Sequence, residues 1–156
     1  DVCSSELHAN FSFSPSLENQ YNTGNDSYTI RAGSNINFSG NWNDFSTNIG
    51  VNENYSRTMQ NGMAPDANNM FSVDGSVNYK RVGANLSFMD MDNQFSHSNT
   101  YGATVSYNHP TVGSFSLGYT YQSDNNKMED SQNNRHNITF TYSAPLESIN
   151  RLFKKK

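Results

Sequence analysis

The chain has 156 residues, of which 33% are hydrophobic, 13% aromatic and only 15% charged, with a formal net charge of −4. The length suits one domain, and the charged fraction falls well below the roughly 25% of an ordinary soluble domain. Low net charge with many aromatics argues against disorder, and no run approaches the ~18 apolar residues of a membrane-spanning helix.

In chain order, the main signal is alternation with a period of two, the period of a β-strand. The run Leu7 to Phe13 sets Leu7, Ala9, Phe11 and Phe13 against His8, Asn10 and Ser12. Tyr28 to Phe38 sets Tyr28, Ile30, Ala32, Ser34, Ile36 and Phe38 against Thr29, Arg31, Gly33, Asn35 and Asn37. Asn43 to Tyr55 sets Phe45, Thr47, Ile49, Val51 and Tyr55 against Asp44, Ser46, Asn48, Gly50, Asn52 and Asn54. The same split recurs in Phe71 to Tyr79, Val82 to Phe88, Tyr101 to Tyr107, Phe115 to Tyr121 and Ile138 to Ala144. The pattern predicts eight strands, each with one apolar and one polar face.

The connections alternate in length. Long polar links are expected at Ser14 to Ser27, Ser56 to Met70, Met89 to Thr100 and Gln122 to Asn137. Short turns are expected at Ser39 to Trp42, at Lys80-Arg81, and at Asn108 to Ser114, where Pro110 and Gly113 are turn formers. Aromatics gather at the two ends of the apolar faces. Tyr28, Tyr55, Phe71, Tyr101 and Tyr121 fall at the long-loop ends, and Tyr79, Tyr107 and Tyr142 at the short-turn ends. Ile36, Ile49, Val73, Leu86, Val105 and Leu117 lie between. Rings with one polar end prefer the headgroup level of a bilayer.

With strands that alternate, loops sorted by end and two aromatic belts, the chain resembles the bacterial outer-membrane β-barrels over roughly Leu7 to Ala144. In strand count it is most similar to the small OmpA/OmpX type. The resemblance implies an eight-stranded antiparallel up-and-down transmembrane β-barrel in the outer membrane, its apolar face outward around a polar lumen. Arg31, Asn35, Asn48, Asp74, Asn85, Thr104 and Thr139 would line that lumen. Tyr28, Tyr55, Phe71, Tyr79, Tyr101, Tyr107, Tyr121 and Tyr142 would form the membrane belts. The short turns and both termini would be periplasmic, with residues 1–6 an N-terminal segment, 7–145 the barrel and 146–156 a basic tail. That tail carries Ile149, Leu152 and Phe153 at helical spacing and ends in three lysines. The chain opens Asp1-Val2-Cys3 without a basic or apolar leader, so an exported barrel would be in processed form. The small polar inward set leaves room for water, which suits a narrow wet lumen or a segment of a wider, porin-like barrel.

Motifs for chemistry are sparse. Cys3 is the sole cysteine, so no internal disulfide can form. His8, His97, His109 and His136 are scattered without metal-ligand spacing. Asp90 with Asp92, or Glu129 with Asp130, offers oxygen ligands for weak divalent binding, or simply a solvated acidic rim. There is no GxSxG, phosphate-binding glycine loop or basic stripe suited to nucleic acid. The expected function is therefore a non-enzymatic pore, anchor or component of an envelope complex. Its partners would be outer-membrane lipid and other envelope proteins, without a cofactor or nucleic acid. Two other readings use the same alternation: a soluble secreted β-sandwich or adhesin, and an outer-membrane enzyme.

Overall fold

A computed structural model describes residues 7–144. Eight strands follow one another: β1 (His8–Asn22), β2 (Ser27–Trp42), β3 (Phe45–Gln60), β4 (Asp66–Tyr79), β5 (Val82–Asn93), β6 (Ser96–His109), β7 (Gly113–Asn126) and β8 (Ser131–Ser143). Each pairs antiparallel with the next, in the order β1-β2-β3-β4-β5-β6-β7-β8. All eight predicted runs coincide with observed strands. The expected N-terminal segment and basic tail lie outside the described residues.

Two expectations are corrected. The first is closure. β1 and β8 are the two edges of one open sheet and do not pair with each other, so among the described residues there is no lumen. Each neighbouring pair is enforced by its own short turn. The β1–β8 pairing alone would join segments separated by the rest of the chain, with no turn to set its register.

The second is loop length. Most of the expected long loops are strand: β1 runs on to Asn22, β3 to Gln60, β5 to Asn93 and β7 to Asn126. The turns left at that end are residues 23–26, 61–65, 94–95 and 127–130, against 43–44, 80–81 and 110–112 at the other. These extensions are rich in Ser, Asn, Gln and Asp, with apolar residues such as Leu17, Tyr21, Met59, Met89 and Met91 too widely spaced or on the wrong face to continue the apolar alternation, a composition that looks like loop. A strand ladder, however, needs only backbone donors and acceptors, and it continues where both faces are polar. The long–short contrast is thereby much reduced, and with it the basis for orienting the chain.

Local chemistry explains the turns. Asn43, Lys80, Asp26 and Asp130 take positive φ, a conformation that Asn and Asp tolerate better than most residues. Asn93 Oδ1 accepts from the amides of Phe95 at 2.8 Å and Ser96 at 2.7 Å, fixing the β5–β6 turn. His109 Nδ1 accepts from the amides of Thr111 and Val112, both at 3.2 Å, and the Tyr142 hydroxyl donates to Val112 O at 2.8 Å. Pro15 lacks an N–H and sits in an edge strand, where a proline is tolerated.

Gly113 is required by its backbone. Its φ is +120°, and a Cβ there would lie 2.2 Å from the carbonyl oxygen of Ser143. Gly75 has open space around the same position. Gly113→Ala is therefore expected to destabilise the fold by about 1–3 kcal/mol. Gly75→Ala is expected to leave stability unchanged or raise it by up to about 1 kcal/mol. Urea midpoints of the two variants against the parent chain check this, and equal midpoints would contradict it.

Candidate functional site

The cross-strand register sorts the side chains onto two faces. On one, a single row of directly opposite residues crosses β2 to β8: Trp42, Phe45, Tyr79, Val82, Tyr107, Phe115 and Tyr142. Six residues further along each strand lies a second row crossing all eight: Phe13, Ile36, Val51, Val73, Phe88, Tyr101, Tyr121 and His136. Phe38, Ile49, Leu86, Ala103 and Ile138 fall between the rows, as do Val77, Val105, Leu117 and Phe140. One step beyond the second row the same face turns polar, with Ser34, Glu53, Asp90, Asn99, Ser123 and Asn134. On β1 and β2 the apolar character climbs further, through Leu17, Ala32 and Ile30 to Tyr21 and Tyr28.

The rings of the second row touch one another. Phe88 and Tyr101 lie with centroids 4.9 Å apart, Tyr101 and Tyr121 6.1 Å, and Tyr121 and His136 4.9 Å. Phe71 extends the series against Phe88 at 6.2 Å. In the first row Phe115 stacks on Tyr142 at 4.8 Å. Nothing in the chain covers this face. Among the described residues not one hydrophobic side chain is buried, and Leu86 is 66%, Leu117 56% and Phe140 67% exposed. A hollow of about 500 Å³ opens on it around Gly75 and Ala103, walled by Ile49, Leu86, Phe88 and Tyr119.

The opposite face is polar. Arg31, Asn35, Asn48, Asp74, Asn85, Thr104 and Thr139 all lie on it. Its amides and hydroxyls bridge the strands. Asn35 donates to Asn52, Asn37 to Asn48 at 3.4 Å and Asn78 to Ser46 at 3.4 Å, while Thr29 and Thr58 meet at 3.1 Å. Arg31 pairs with Glu18 at 3.3 Å. A second hollow, of about 490 Å³, lies towards the turns at residues 23–26, 61–65 and 94–95 and takes its walls from β1 to β5, including Ser16, Arg31, Asn54, Met70 and Met91.

The expected belt residues occupy the apolar face at several heights. Tyr79, Tyr107 and Tyr142 share the first row, and Tyr101 and Tyr121 the second. Phe71, Tyr55 and Tyr28 stand progressively further out. The histidines do not converge. His136 packs at a tilt against Tyr121 and its Nδ1 meets the Tyr119 hydroxyl at 2.8 Å. His97 sits between Asp90 and Asp92, its ring nitrogens 3.6 Å and 3.5 Å from their oxygens. Among the described residues no group of three or more His, Cys, Asp and Glu side chains is placed to hold a metal ion.

Above the apolar rows Lys127 binds both the Asp92 carboxylate and Asn93 O, the latter at 2.7 Å, tying the 127–130 turn to β5. The Lys127 ammonium is the main reason the Asp92 carboxyl sits below its ordinary value, with His97 adding in the same sense. A carboxyl held low contributes stability that is present above its unfolded pKa and lost as pH falls through the folded one. Lys127→Gln is therefore expected to move the Asp92 titration upward, so that the contribution disappears at a higher pH. Carboxyl-carbon NMR titration of Asp92 in both proteins reads this directly, and an unmoved titration contradicts it.

Comparison of the chain with protein-family models, with curated proteins and with solved structures finds no match.

Proposed function

We propose that the sheet is the wall of a bacterial outer-membrane β-barrel, an integral, non-enzymatic protein acting as a passive pore, an anchor or a component of an envelope complex. The observation that carries this is the uncovered apolar face, bounded by two ring-bearing rows. In water such a face would cost about 25 cal/mol for each Å² left exposed. Hydrocarbon covers it without a second protein layer. Six residues separate the two rows, about 20 Å along a strand at ~3.3 Å per residue and about 15 Å along the membrane normal at a 35–45° strand tilt. An outer-membrane barrel carries an apolar band about 25 Å tall between aromatic girdles. Beyond the second row, Glu53 and Asp90 would sit at the interface, where even Lys or Arg costs only about 0–1 kcal/mol and a carboxylate less.

Lipid also imposes a condition on the edges. Each unpaired N–H or C=O in hydrocarbon costs several kcal/mol, and β1 and β8 each present a full row of them. In the membrane those edges are joined. Eight is an even number, so β1 and β8 run antiparallel and meet as one more hairpin-like pair. Arg31, Asn35, Asn48, Asp74, Asn85, Thr104 and Thr139 then face a hydrated interior. Tyr79, Tyr107 and Tyr142 mark one lipid interface and Tyr101 and Tyr121 the other, while Phe71, Tyr55 and Tyr28 stand beyond the second row.

Three measurements test the reading. The refolded chain should require detergent and shift in gel mobility on heating, and full solubility without detergent would overturn the proposal. Val105→Lys or Leu117→Lys should destabilise the micelle-bound fold by about 2–4 kcal/mol, against about 0–1 for Thr104→Lys; equal effects at all three would reject the assignment of faces. Because closure staggers the register of the seam, a cysteine at His8, Ser12 or Ser16 is paired in turn with one at each polar-face position of β8 from Ser131 to Ser143, in a Cys3→Ser background. Cross-links within one chain report an eight-stranded closure. Cross-links only between chains would point to a wider barrel.

A further inference from the structure

The polar face has one anomaly. Through all eight strands its positions are Ser, Asn, Thr, Gly, Gln, Asp, Glu, Arg or His, with three exceptions: Met70, Met89 and Met91. The three are neighbours. Met70 and Met91 are directly opposite across β4 and β5, and Ser72 opposite Met89 puts Met89 on the diagonal from Met70. Side chains directly opposite start about 5 Å apart at Cβ, and diagonal ones about 7–8 Å. A thioether on an unbranched stem with three rotatable bonds reaches across either gap.

Burial does not account for them. Met91 is 42% exposed, and no apolar core lies on this side. Nor does a need for grease, since the other face meets that need with Leu, Ile, Val and Phe and, within the strands, carries methionine only at Met59. What is particular to the cluster is sulfur. Thioether sulfur is a soft donor that favours Cu(I)-class ions over the hard cations that carboxylates prefer. β4, β5 and β6 contain no Lys or Arg, Arg31, which shares the hollow with Met70 and Met91, is paired with Glu18, and Asp74 lies on the same face opposite Ser87, one step from Met89. Met70 and Met91 also line the hollow of about 490 Å³, so the cluster is reachable from solvent.

We propose that Met70, Met89 and Met91 form a three-thioether site for a soft monovalent cation, Cu(I) or its redox-inert analogue Ag(I). The site depends only on the register of β4 and β5 and not on the membrane reading. The test is a titration of the folded full chain with silver nitrate in chloride-free buffer. A Cys3→Ser background removes the competing thiol. The readout is the methyl NMR signals of the six methionines. Those of Met70, Met89 and Met91 should move and saturate at one equivalent, while Met59, Met63 and Met128 stay in place. Replacing all three by leucine should weaken silver binding at least 100-fold. No methyl shift, equal shifts at all six, or undiminished binding by the triple leucine variant would overturn the site. Should that variant fail to fold, the methyl titration of the parent chain decides alone.

Discussion

One face of this sheet is apolar from edge to edge, and the chain supplies nothing to cover it. Most small β-proteins solve that problem with a second sheet or a helix packed about 10 Å away. Here the described residues form a single layer with no buried hydrophobic side chain. Whatever completes the apolar face, lipid or protein, therefore comes from outside residues 7–144. Such a face cannot remain open in water without association. The proposal of a membrane wall follows from that constraint, and so does the requirement that both edges be paired there.

Register is what turns the constraint into a pattern. The two short turns at residues 43–44 and 80–81 return each strand directly opposite its predecessor. Rings spaced along the chain thereby become neighbours in a row, as Phe88, Tyr101, Tyr121 and His136 are. The same register governs the other face, where it aligns amides into cross-strand bridges and gathers three methionines into one cluster. A slip of one residue in any strand would exchange its two faces. The turns and the two faces are therefore mutually dependent, and Gly113 at the start of β7, at a φ that a side chain would strain, is part of that arrangement.

Much of the architecture was legible in the residues alone. Period-two alternation is a direct consequence of the pleat, so runs such as Tyr101 to Tyr107 and Phe115 to Tyr121 identified their strands and faces. Legibility failed where both faces are polar. The far end of β7 read as loop because alternation disappears when Gln, Ser, Asp and Asn occupy both sides, and those of β1 and β3 because Leu17, Tyr21 and Met59 are isolated among polar residues, although backbone pairing continues. It failed also for clustering across strands. Met70 stands well apart from Met89 and Met91 in sequence, and only the β4–β5 pairing puts them together. The contact of Lys127 with Asp92 was hidden in the same way.

The sequence by itself determined the strand count, the order of faces along each strand and the aromatic character at both ends, because these are local consequences of side-chain alternation and turn chemistry. Only the tertiary structure decided how far each strand extends, which residues share a row, and that the first and last strands stand unjoined. Those depend on hydrogen bonds between segments distant in the chain, which no local pattern specifies.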